Sequence, residues 1–174
     1  RVAEKPYATV IRDLIFDPLG MTDTGFYLPD PISDRLVPIQ HRVDEDWEIY
    51  TSEGYDVNYP IKGARTYFSG GAGLSSTARD YAVFLQMYLN KGEYNGIRLL
   101  SRTTVETMMA NQIGDLWAGG PKDYGLAFGV VNPDGIAFGG EGGLGTFDWG
   151  GYFNTLYFAD PGEHLIGILM GQTQ

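Results

Sequence analysis

The chain has 174 residues, enough for one domain with a real core or for a large piece of a bigger one. Hydrophobic residues at 43% and charged residues at 20% exclude a disordered chain, and a net charge of −10 argues against nucleic-acid binding, which needs clustered Lys and Arg. With no cysteine, disulfides and Cys-ligated metal sites are excluded, while a cytoplasmic, periplasmic or secreted location is equally compatible. No apolar run reaches the roughly 18 residues of a membrane-spanning helix. The first residue, Arg1, follows no leader, and the expectation is the interior of a longer protein.

Pro6 to Phe16 is predicted to be a helix, with Pro at its start and Tyr7, Val10, Ile11, Leu14 and Ile15 at helical spacing. Asp17-Pro18-Leu19-Gly20 should stop it. From Pro29 to Arg65 the pattern is weak: prolines, acids and Trp47, Tyr50, Tyr55 and Tyr59 suggest an extended excursion with short strands. Such a segment is either a wall or lid over a site or a surface insertion without a role. Ser69 to Ser75 is a glycine-rich turn into a helix that Thr77 should cap, with Asp80 completing a capping box. It has neither a P-loop ending nor Gly-x-Gly-x-x-Gly spacing, so phosphate binding is not expected.

Asn95-Gly96 marks a tight hairpin, and Ser101 should cap a helix to about Asn111. Strands are then predicted at Tyr124–Val131, Ile136–Gly139, Thr146–Trp149, Asn154–Ala159 and His164–Met170. Turns at Asn132 to Gly135 and Asp160 to Glu163 join two pairs of them. Helices first and hairpin-joined strands later define an α+β fold: an antiparallel sheet with flanking helices. The chain reads as a single structural unit over 1–174, with 1–111 mainly helix and loop and 124–174 the sheet.

The chemistry concentrates in Gly145 to Pro161, GTFDWGGYFNTLYFADP. Paired glycines inside a strand pattern mark a bulge, a hairpin, or a close approach by a ligand or another backbone. Trp149 and Tyr152 would flank that approach, unless the Trp simply belongs to the core. No metal or cofactor is expected, because His41 and His164 lie far apart in sequence. No Gly-x-Ser-x-Gly elbow occurs, and Asp148 has no evident partner acid for glycoside hydrolysis.

Four blocks in order, IFDPLGMTDTGF (Ile15–Phe26), Gly70–Met108, YGLAFGVV (Tyr124–Val131) and the Gly145–Pro161 stretch, resemble the serine β-lactamase/penicillin-binding-protein-like family. The similarity is nearest to its class C β-lactamase-like esterase branch, and the chain looks like a fragment carrying part of the β-lactamase/transpeptidase-like fold. The resemblance implies acyl transfer through a serine ester, with a Ser-x-x-Lys nucleophile motif, a Tyr-x-Asn or Tyr-x-Ser motif and a strand-edge motif. Trp149-Gly150-Gly151 matches the third. It implies that Trp149, Gly150, Gly151 and Tyr152 line the substrate, an ester or β-lactam-like amide, with the Tyr152 backbone N–H as an oxyanion-hole donor. Trp where the family often has Lys favours esters over β-lactams.

The catalytic serine, lysine and tyrosine are not expected in this chain. No serine has lysine three residues later, and Tyr152-Phe153-Asn154 lies inside the third block rather than at the position of the second. The fragment alone should be inactive, and its unpaired sheet edges predict homo-oligomerisation or strand swapping. The alternatives are a non-catalytic protein on the same scaffold that binds a peptide or cell-wall ligand and, more distantly, a carbohydrate-binding module.

Overall fold

The computed structural model describes residues 4–54, 56–140 and 142–174, so Arg1 and Tyr55 lie outside the described residues. Where the sequence reads as a single unit, the chain packs as two compact units. One runs to Tyr81 and adds Gly151–Thr155 and Met170–Gln174; the other holds Ala82–Gly150 and Leu156–Leu169.

In the first unit, α1 spans Tyr7–Ile11, a π-helical turn spans Arg12–Phe16 and α2 spans Asp17–Leu19. The helix therefore runs three residues beyond its expected end at Phe16 and stops at Gly20, within the expected terminator. Pro18 withdraws one N–H from the ladder, and in the turn before it the bonds run i to i+5, as from the Asp17 N–H to the Arg12 carbonyl. Gly20, left-handed at φ 68°, ends it. After α3 (Asp30–Ser33), the weakly patterned stretch forms a real hairpin of β1 (Gln40–Val43) and β2 (Asp46–Ile49), with His41 opposite Glu48, before α4 (Tyr59–Lys62). Phe16, Leu19, Met21, Phe26, Leu28 and Ile39 are buried.

Helix α5, Ala78–Leu89, starts as predicted: the Asp80 N–H donates to Thr77 Oγ1 at 3.2 Å. The other half of the capping box does not form. The Asp80 carboxylate instead accepts from the Asp23 N–H and the Thr24 hydroxyl, each at 2.8 Å. That tertiary use explains why this carboxylate is buried.

In the second unit, β3 (Glu93–Tyr94) and β4 (Ile97–Arg98) form the expected hairpin, and the Thr104 N–H donates to the Ser101 cap of α6 (Arg102–Met109). A 3₁₀ turn at Gly114–Trp117 leads into the sheet. The predicted strand at Tyr124–Val131 is two, β5 (Lys122–Tyr124) and β6 (Gly129–Val131), because the chain turns back between them. The predicted strand at Ile136–Gly139 is helical instead: Asn132 caps α7 (Pro133–Ala137), accepting from the Gly135 N–H at 3.0 Å. Pro133, at a first helical position, begins a helix where a hairpin turn was expected.

Then come β7 (Phe147–Gly150), β8 (Thr155–Asp160) and β9 (Leu165–Met170), completing a five-stranded antiparallel sheet in the order β5-β6-β7-β8-β9. The fold is α+β as expected. Its core is aromatic: Phe128 lies 5.1 Å from Tyr88, 5.0 Å from Phe147 and 6.2 Å from Tyr157 between ring centroids. Phe128 is 2% exposed, and edge-on packing adds to what its burial contributes. Phe128→Ala is expected to cost about 3–5 kcal/mol in urea unfolding of this chain. A loss below about 1 kcal/mol would mean that the ring cluster does not hold the sheet to α5.

Candidate active site

Strand β7 is paired unequally along its length. Beside β8 it is matched at every residue, from Phe147 opposite Ala159 to Gly150 opposite Leu156. Beside β6 only two positions pair, Val130 with Phe147 and Gly129 with Asp148. Beyond Asp148, β6 has ended, so among the described residues Trp149 and Gly150 have a ladder partner on one side only. A strand edge of this kind can accept an extended substrate through its backbone.

Trp149 is 45% exposed, which removes the alternative of a core Trp in a plain hairpin. The Tyr124 ring meets it at 5.0 Å and the Trp117 ring meets Tyr124 at 5.4 Å, forming an edge-on series of three rings. Trp149 and Gly150 line an open groove of about 730 Å³ with Trp117, Lys122, Asp148 and Leu156. Lys122 and Asp148, both lining it, form a part-buried ion pair. Asp148 is thus matched with a cation rather than with a second acid. Sequence reasoning missed Trp117, Lys122 and Tyr124 as neighbours of Trp149, since cross-strand contacts leave no local spacing signal.

The chain passes from the second unit to the first between Gly150 and Gly151. Gly151 opens the turn from β7 to β8, where its N–H donates to the Thr155 carbonyl at 2.7 Å. A Cβ on Gly151 would collide with Thr155 Oγ1, so turn closure itself explains this glycine. Tyr152 is 75% exposed, and its N–H has no acceptor among the described residues.

The ends of β7 and β8 away from this turn are tied by one carboxylate. Asp160 accepts from the Gly143 N–H at 2.8 Å and the Thr146 hydroxyl at 2.9 Å, and through its second oxygen from the N–H groups of Gly162 and Glu163 at 2.8 and 3.0 Å. These donors, Gly143 and Glu163 foremost, hold its carboxyl at about 2, against an ordinary 3.8. Among the described residues, no group of three His, Asp or Glu side chains is placed to hold a metal ion.

The α+β fold with its five-stranded antiparallel sheet agrees with the family suggested by the sequence blocks. The Beta-lactamase family model matches residues 1–174, and the chain belongs to the β-lactamase family. It is 33% identical to an uncharacterised protein of Mycobacterium tuberculosis, over 99% of this chain and 45% of that protein. It is 27% identical to Esterase EstB of Burkholderia gladioli, over 99% of this chain and 46% of that one. Among solved structures, EstCE1, a hydrolase with promiscuous acyltransferase activity, superposes with a TM-score of 0.82 at 24% identity, over 99% of this chain and 47% of that one. The chain thus spans about half the length of the relatives it matches. No described helix is long and apolar enough to cross a membrane.

Because folding lowers the Asp160 pKa, its contribution to stability is complete above about pH 4 and is lost as pH falls through about 2. Asp160→Asn should therefore be less stable than the parent chain at pH 7, and the gap should shrink between pH 4 and pH 2 in thermal melts. A pH-independent gap would show that the carboxylate charge contributes nothing.

Proposed function

We propose that this chain is the strand-edge portion of a serine hydrolase that cleaves esters, or β-lactam-like amides, through an acyl-enzyme. The observation that carries the reading is the unpaired edge of β7 at Trp149 and Gly150, where a substrate backbone can lie along the strand. The vacant N–H of Tyr152 supports it, since an oxyanion hole needs a backbone donor not already engaged by the protein. Such a donor stabilises the transition state by about 2.7–4 kcal/mol. The esterase among the relatives favours an ester substrate for this chain as well.

The nucleophile is assigned to the rest of the complete protein. Ser33, Ser52, Ser69, Ser75, Ser76 and Ser101 all lack a lysine three residues on, so Ser-x-x-Lys is not in this chain. Its own residues supply binding and charge stabilisation; the serine oxygen, once deprotonated, attacks the ester carbonyl and the alcohol leaves with a proton. In the complete protein, one serine should be labelled, a fluorophosphonate adding its mass less HF and a penicillin-type probe adding its whole mass, while this chain alone stays unlabelled. No adduct on the complete protein would turn the reading to a non-catalytic peptide- or cell-wall-binding protein. An adduct on this chain would place the serine within it.

Substrate preference should depend on Trp149. An exposed indole offers apolar contact and no charge for a β-lactam carboxylate. Trp149→Lys in the complete protein should raise the ratio of β-lactam to ester acylation rates by about tenfold or more, the worth of one charge-assisted hydrogen bond. An unchanged ratio would remove Trp149 from substrate selection.

A further inference from the structure

The turn that carries Tyr152 is fastened within its own unit by residues from the weakly patterned region and from the chain's last residues. Phe153, next to Tyr152, packs edge-on against Tyr50 with centroids 5.7 Å apart, and Tyr50 packs edge-on against His41 of β1 at 5.5 Å. On the other side, Asn154 Nδ2 donates to Thr173 Oγ1 at 2.8 Å, and the Thr173 N–H donates to the Phe153 carbonyl at 3.2 Å. Thr173 in turn lies in a parallel bridge with Gln40, whose N–H donates to the Gln172 carbonyl at 2.9 Å. Asn154 is left-handed at φ 62°, a conformation that fixes how the turn re-enters β8.

Resting on the function proposed above, we infer that Tyr50, Phe153 and Thr173 are positioning residues for the Tyr152 N–H. On this reading the β1–β2 hairpin is the support of the oxyanion turn rather than a surface insertion. A four-residue turn with an outward N–H has too few bonds of its own to hold one direction. Gly151 and Asn154 donate the two backbone bonds inside it, to Thr155 and Gly151. Tyr50 and Thr173 add ties from outside the turn, one on each side of it. A displacement near 1 Å at such a donor costs about a hundredfold in rate.

The test uses the complete protein with p-nitrophenyl butyrate, and this chain for amide exchange. Tyr50→Leu is expected to lower kcat by about tenfold to a hundredfold with KM changed less than about twofold, since the turn acts in the transition state. Tyr50→Phe keeps the ring edge and should restore kcat. Thr173→Val, a milder change, should lower kcat in the same direction if Tyr50→Leu folds poorly. In this chain, Tyr50→Leu should remove the exchange protection of the Gly151 and Thr173 amides while that of β7 persists. Unchanged kcat with retained protection would overturn the inference and leave the hydrolase reading intact. If the unmutated complete protein hydrolyses no ester and takes no acylating probe, the hydrolase reading and this inference fail together.

Discussion

The four bonds converging on Asp160 set the geometry on which the sheet's candidate site depends. One oxygen holds Gly143 and Thr146 in the approach to β7; the other holds Gly162 and Glu163 in the turn out of β8. A single buried carboxylate thereby ties the start of one strand to the end of its neighbour. Slipping the β7–β8 register by one residue would break this tie and also move Phe147 from the aromatic core to the opposite face. Both penalties act in the same direction. The register that sets Trp149 opposite Tyr157 and Gly150 opposite Leu156 is thus held by a charge at the far end of the strand pair.

What was legible in the sequence follows the range of the interactions. The Asn95-Gly96 hairpin, the Ser101 cap and the turn at Asp160 to Glu163 form as expected because each is decided within four residues. Two strand expectations failed for equally local reasons that point the other way. Asn132-Pro133 is as good a helix start as it is a hairpin turn, and Tyr124–Val131 is apolar enough for one strand although the chain reverses within it. The role of Asp80 was half legible: its helical position was visible, but its partners Asp23 and Thr24 lie nearly sixty residues earlier.

The candidate site divides along the same line. Trp149 to Tyr152 could be found because a motif places them side by side. The rings of Tyr124 and Trp117 beside Trp149, and those of Tyr50 and His41 behind Phe153, are brought in by pairing across the sheet and by the hairpin β1–β2. No periodicity marks them. Of the aromatic residues scattered through the weak pattern, Tyr50 is used in this way, beside His41 and Phe153.

The glycine pair also has two explanations that do not compete. Gly151 suits Thr155, whose hydroxyl stands where a Cβ would be, so a larger residue there would force that side chain to move even if nothing bound. A catalytic strand edge has a different requirement: backbone groups that the fold itself leaves unpaired, next to a surface that a substrate can touch. Among the described residues, Trp149 and Gly150 lack a partner on β6, and the turn holding Tyr152 makes its backbone bonds through Gly151 and Asn154. On the reading proposed here, the edge owes its use to the hydrogen bonds the fold leaves unmade rather than to the glycines alone. A β6 extended back through Phe128 and Ala127 would have kept every letter of Trp-Gly-Gly and closed the edge at Trp149 and Gly150.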